Sequence, residues 1–137
     1  MLINDKVIDY GKEPFAVDLE RLTKFNTTFR RALWTGTHLQ LTVMSIPVGE
    51  DIGLERHEDV DQFIYIVSGI GLTQMGNSRD NLNFSKNVYE NFGVFVPAKK
   101  WHNIKNIGKT PLKLFSVYAP PEHPFGTVEI NKQDSQY

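Results

Sequence analysis

The sequence predicts an all-β sandwich or barrel preceded by one short helix, and three observations carry that reading. Between residues 28 and 118 the chain breaks into short runs rich in Val, Ile, Thr and aromatic residues, separated by Gly, Pro, Asn and Ser. Helical periodicity is sustained in one short stretch only. No repeat at solenoid spacing and no low-complexity tract interrupts the pattern.

The helix is expected over 18–25 (DLERLTKF), where Leu19, Leu22 and Phe25 recur at helical spacing and Asp18 can cap the start. Strands are then predicted at 28–35, 38–46, 53–57 and 62–67, followed by 71–75, 88–96 (bent at Gly93), 101–105 and 111–118. Pro47-Val48-Gly49, Ser68-Gly69, Gly76-Asn77-Ser78 and the stretch 106–108 supply the turns. The polar stretch 76–87 reads as a loop inserted in a hairpin. Prolines at 120, 121 and 124 take the tail out of the sheet, and its last residues should fray.

Composition narrows the function. The 137 residues suit a single domain, 1–137, with a barrel core at about 28–120. A formal net charge of -1 gives no basic field, so nucleic acid is not an expected partner. With no cysteine there is no disulfide, thiolate metal site or cysteine nucleophile. Asp5, Lys6 and Asp9 break the start where a signal peptide needs an apolar run, and the longest apolar run, 63–72, is too short to span a bilayer. A cytoplasmic protein without membrane contact is the expectation, and the Asn26 and Asn83 sequons then carry no meaning.

Two segments carry chemistry. The first is Gly49-x5-Glu55-Arg56-His57-x4-Gln62-x6-Gly69, and the second is Pro97-x-Lys99-x2-His102-x3-Asn106. Strand residues two apart share a face, so Glu55 and His57 point one way and Arg56 the other. A turn through 58–61 brings the chain back so that Gln62 can face the same interior, and His102 can lie across from them. A carboxylate, two imidazoles and an amide oxygen form a mixed N/O set suited to a borderline divalent metal.

These segments resemble the two motifs of the cupin superfamily, G-x5-H-x-H-x3-4-E-x6-G and G-x5-P-x-G-x2-H-x3-N. The spacing agrees throughout. The resemblance implies a double-stranded β-helix, a small jelly-roll-like antiparallel barrel with a metal on its axis. By the same resemblance Glu55 takes the place of the first His, His57 the second, Gln62 that of the Glu, and His102 that of the last His. Asn91 and Lys99 replace two motif glycines; Asn tolerates a left-handed backbone better than Lys does. The set Glu, His, Gln, His is similar to that of phosphomannose isomerase-type cupins, where Gln and Glu come in the opposite order. A His, His, Gln, His set is found in small cupins that linearise unsaturated uronates.

The cofactor expected is therefore a divalent ion: Zn, Mn, Ni or Fe. One carboxylate among four ligands would leave a net charge of about +1 and favour an anionic or polyhydroxylated small-molecule substrate. The leading expectation is an isomerase or tautomerase acting on a sugar or keto acid, similar to mannose-6-phosphate isomerases. A non-catalytic metal and small-ligand binding module and an Fe-dependent oxygenase are the alternatives. Tyr118 and His123 are the candidate proton-transfer residues, although a packing tyrosine and a structural tail contact are the commoner roles. One of Arg30 and Arg31 can face inward and bind a substrate anion. Asp61 and His38 read as solvated, and Trp34, Trp101 and the nine Phe as core or interface. A homodimer is expected, built on the apolar strand near 28–33 and the N-terminal segment.

Overall fold

The computed structural model describes residues 8–135. One helix, α1 (Leu19–Phe25), precedes the sheets. Asp18 caps it as expected, its side chain accepting from the Arg21 N–H. Leu19 and Leu22 are half-buried as the spacing predicts and share a face with the buried Thr23, whose hydroxyl donates to the Leu19 carbonyl, whereas Phe25 is 73% exposed and lies off that face.

The strands are β1 (Arg30–Thr35), β2 (Gln40–Ile46), β3 (Asp61–Ser68), β4 (Ile70–Gly76), β5 (Phe84–Tyr89), β6 (Gly93–Val96), β7 (Trp101–Asn106), β8 (Leu112–Ala119) and β9 (Val128–Glu129). They form a six-stranded sheet ordered β6-β3-β8-β2-β1-β9 and a three-stranded sheet ordered β5-β4-β7. Every pairing is antiparallel. An all-β fold with one short N-terminal helix is what the sequence predicted.

The differences have local causes. Residues 53–57 form no strand of their own; isolated bridges tie Asp51 to Lys105 and Glu55 to His102. The run 88–96 is two strands in different sheets, split where Asn91 takes a positive φ of 74°. Residues 84–87 belong to β5, so the loop is shorter than predicted. The tail returns as β9 to pair with Arg30 and Arg31, and the turn Lys132–Asp134 follows it. Residues 1–7, including Asp5 and Lys6, lie outside the described residues.

Burial divides the barrel lengthwise. One end is apolar, built from Phe29, Met44, Ile46, Ile64, Ile66, Leu112, Leu114 and their neighbours. The other end is polar: Arg30, Gln40, Thr42, Glu55, His57, Gln62, His102, Ser116, Tyr118 and His123 are all buried. The phenylalanines divide between core and surface. Phe29 is the core's one buried phenylalanine, while Phe84, Phe95 and Phe125 are at least half exposed.

Candidate metal centre

Backbone pairing brings the two motif segments together. Glu55 and His102 exchange N–H···O=C bonds of 2.9 Å each, which places their side chains on one face. The Lys99 N–H donates to the His57 carbonyl at 2.7 Å, and Asp61, as expected a solvated residue, accepts from the Ala98 N–H. Lys99 holds a φ of 73°, so both residues that replace a motif glycine, Asn91 and Lys99, carry a left-handed backbone.

Glu55, His57 and His102 form a buried cluster in which one donor atom of each lies within 4.8 Å of the others. Glu55 Oε1 is 3.5 Å from His57 Nε2 and 3.7 Å from His102 Nε2. The Nδ1 nitrogens face away: His102 Nδ1 lies 3.3 Å from the Lys100 carbonyl, and His57 Nδ1 lies 3.3 Å from Glu122 Oε2. Gln62 is buried on β3 beside Tyr118 of β8, and its amide nitrogen donates to Ser116 Oγ. The Gln62 carbonyl oxygen and His102 Nε2 are buried and accept or donate no hydrogen bond, whereas Glu55 Oε2, likewise without one, faces the Arg30 guanidinium. Such atoms are nearly always paired in a protein interior. A dication is a partner that suits both atoms together with Glu55 Oε1, so the donor set fits a metal.

The electrostatics differ from the expected single charge on Glu55. Arg30, 1% exposed, puts NH2 3.6 Å from Glu55 Oε2 and NH1 2.7 Å from Glu129 Oε1. Of the two arginines it is the inward one; Arg31 binds the Ile8 carbonyl. Burial pushes the His57 imidazole down, but Glu55 and Glu122 outweigh it and hold its pKa above the ordinary value. Burial lowers that of His102, against the pull of Glu55.

Tyr118 and His123 are inside the same polar end, 1% and 6% exposed. The Tyr118 ring meets His57 and His123 edge-on, with centroids 5.9 and 5.1 Å apart. Burial pushes the Tyr118 phenol up to about 12, against Arg30, and pushes His123 down to about 3, helped by Arg30 and His57. His38 is exposed, as expected, and Tyr65 points outward to stack on Phe115.

Four residues of the site escaped sequence reasoning. Gln40 holds the tail: its amide accepts from the N–H groups of Glu122 and His123 and donates to the His123 carbonyl. Glu122 and Glu129 come from that tail, and Asp9 accepts from the Gly126 N–H while holding Thr35. Their partners are far away in sequence, so no local spacing could have signalled them. The β1 edge expected to meet a partner is occupied at Arg30 and Arg31 by β9 and at Leu33 by Tyr10.

Two antiparallel sheets with buried nitrogen and oxygen donors gathered at one end define a β-barrel protein with a candidate metal site. Residues 42–118 match the cupin domain, and the chain belongs to that family. It is similar to YrkC of Bacillus subtilis, with 58% identity over 127 residues, covering 93% of this chain and 68% of that protein. The crystal structure of BH2720 from Bacillus halodurans superposes with a TM-score of 0.92 at 55% identity, covering 93% of this chain and 97% of that one. An RmlC-like cupin of double-stranded β-helix fold from Methanocaldococcus jannaschii superposes with a TM-score of 0.59 at 22% identity, covering 71% and 84% of the two chains. The last is a likeness of fold alone. Among the described residues no helix is long and apolar enough to cross a membrane.

Proposed function

We propose that this cupin binds a divalent ion through Glu55, His57, Gln62 and His102, and that the centre isomerises or tautomerises a small sugar or keto acid. The observation that carries the reading is a set of buried donors at one end of the barrel: the Gln62 carbonyl oxygen and His102 Nε2, neither of them hydrogen-bonded, with Glu55 Oε1 3.5 Å from His57 Nε2 and 3.7 Å from His102 Nε2. When bound, the metal would supply Lewis acidity to a substrate carbonyl. Tyr118, whose pKa is pushed up to about 12, keeps its proton at neutral pH and serves as donor to a substrate oxygen. His123, with a pKa near 3, stays neutral and offers a ring nitrogen as acceptor. Arg30 holds the Glu55 carboxylate in place and keeps a fixed positive charge beside it.

A second reading, the non-catalytic binding module, is favoured by closure. The four ligand residues are each 5% exposed or less. An oxygenase is disfavoured because a fourth protein donor takes a position that substrate or O₂ would need.

Elemental analysis after reconstitution with Zn, Mn, Ni or Fe tests the metal reading. One equivalent is expected, most of it lost in His57→Ala and His102→Ala with the far-ultraviolet circular dichroism unchanged. A wild-type protein that takes up no divalent ion sinks it. The reaction is tested by incubating the loaded protein with aldoses and keto acids in D₂O. Solvent deuterium entering the carbon beside the carbonyl supports isomerisation, and metal uptake with no exchange in any substrate leaves the binding module.

A further inference from the structure

The two ligand histidines present the same nitrogen to the cluster by different means. His102 needs only its own segment: Nδ1 lies 3.3 Å from the Lys100 carbonyl, two residues away. A neutral imidazole whose Nδ1–H donates to that carbonyl leaves Nε2 free for a metal. His57 has a carboxylate at the corresponding place, with Glu122 Oε2 3.3 Å from Nδ1. That carboxylate comes from a strap of chain, residues 120–130, which crosses the polar end of the barrel.

The strap is held independently of His57. Gln40, fully buried on β2, treats it as a neighbouring strand, accepting from the Glu122 N–H at 3.1 Å and the His123 N–H at 2.9 Å and donating to the His123 carbonyl at 2.9 Å. Farther along, Glu129 binds Arg30 at 2.7 Å and β9 pairs with β1. The backbone of Glu122 is therefore fixed from both sides, and its side chain, 20% exposed, reaches in to His57.

We infer that Glu122 is a positioning residue of the metal centre, setting the Nδ1–H tautomer and ring orientation of His57 so that Nε2 faces the cluster. The inference rests on the metal reading above and extends it: the cupin motifs supply the ligands, and the C-terminal strap, outside both motifs, supplies the group that aims one of them. Carboxylates that orient a ligating histidine in this way raise metal affinity by ten- to a hundredfold in general.

Two measurements test it. In metal-free full-length protein, long-range ¹H–¹⁵N spectra of the neutral His57 ring should show a protonated Nδ1 in the wild type. Glu122→Ala should move the ring toward the Nε2–H form, and Glu122→Gln, whose amide oxygen still accepts, should retain the wild-type pattern. Zn(II) titration against a chelator should show about a ten- to hundredfold loss in Glu122→Ala and a smaller one in Glu122→Gln. An unchanged tautomer and unchanged zinc affinity in Glu122→Ala overturn the inference. Equal losses in Ala and Gln overturn it too, since charge alone would then explain them. Failure of the wild type to bind zinc defeats the metal reading instead, and the tautomer spectra still decide what Glu122 does.

Discussion

Replacing Glu55 with Gln is the most discriminating change available, because one carboxylate serves two partners. Glu55 Oε2 sits 3.6 Å from Arg30 NH2, both groups nearly inaccessible to water. At an effective dielectric of about 20, that attraction is worth about 5 kcal/mol before desolvation. Arg30 keeps Glu129 at 2.7 Å after the substitution. The cost to the metal-free fold should thus fall below the range for a fully broken buried pair, at about 1–3 kcal/mol. For a dication the loss is larger, since Glu55 is the one anionic donor of the cluster and Gln returns an amide of similar shape. A net penalty of roughly 3 kcal/mol lowers affinity by about a hundredfold. Gln62→Ala removes a neutral donor that water can replace, and about tenfold or less is expected. Chelator competition on the two variants side by side, with urea unfolding of the metal-free forms, separates the contributions. Wild-type metal affinity in Glu55→Gln would show that Glu55 belongs to Arg30 alone and that the first ligand is misassigned.

Lys99 holds a φ of 73° with its side chain exposed, so Lys99→Gly should raise the melting temperature by a few degrees, the relief of about 1 kcal/mol of strain exceeding the added chain entropy; an unchanged or lower melting temperature counts against that. In metal-free protein the His123 pKa near 3 lies below its unfolded value of about 6.5, so its contribution to stability is complete above pH ~6.5 and is lost as pH falls toward 3. His123→Asn should flatten that acid limb in melts recorded from about pH 4 to 7, and an identical slope would show that another group titrates there. Light scattering should give a homodimer of twice the 15.7 kDa chain mass, with Phe95 and Phe125, 72% and 61% exposed, among the apolar residues available to a partner; a monomer at micromolar concentration refutes it.

What the sequence disclosed about this site follows from which contacts are local. Glu55, His57 and Gln62 were readable because the period of two in extended chain fixes which side chains share a face, and the motif glycines fix where it turns. Gly49 and Gly69 do take positive φ values of 84° and 99°. Lys99 was legible only through motif spacing, since nothing about lysine announces a left-handed backbone. The break at Asn91 was hidden by the apolar residues on either side, with Val88, Val94 and Val96 buried, so the pattern suggested one bent strand where two sheets meet. Residues 84–87 are all exposed on a sheet edge, and with Phe84 followed by three polar residues they carry no apolar alternation. The strap could not be read at all. Glu122 reaches His57 across 65 positions and Glu129 reaches Arg30 across 99, and pairings of that separation leave no trace in local pattern.

The strap also changes what the centre should bind. Counting Glu55 alone, a dication would leave one positive charge for an anionic substrate. The folded chain adds the Arg30 guanidinium and the carboxylates of Glu122 and Glu129 to the same region. Three formal negative charges against one positive leave two, which a divalent ion cancels. A site balanced in this way gains little from a second anion. It suits a neutral, polyhydroxylated substrate whose charge develops only as a proton leaves carbon, because stabilising charge in the transition state accelerates a reaction and equal stabilisation of the ground state does not. Of the two substrate classes the sequence suggested, charge balance therefore favours the polyhydroxylated one, and within the isomerase reading an unphosphorylated sugar over a keto acid. Replacing Glu129 with Gln tests the balance directly: by leaving Arg30 less compensated, it should shift preference toward the acidic substrate, and an unaltered preference would show that Glu129 lies outside the field the substrate experiences.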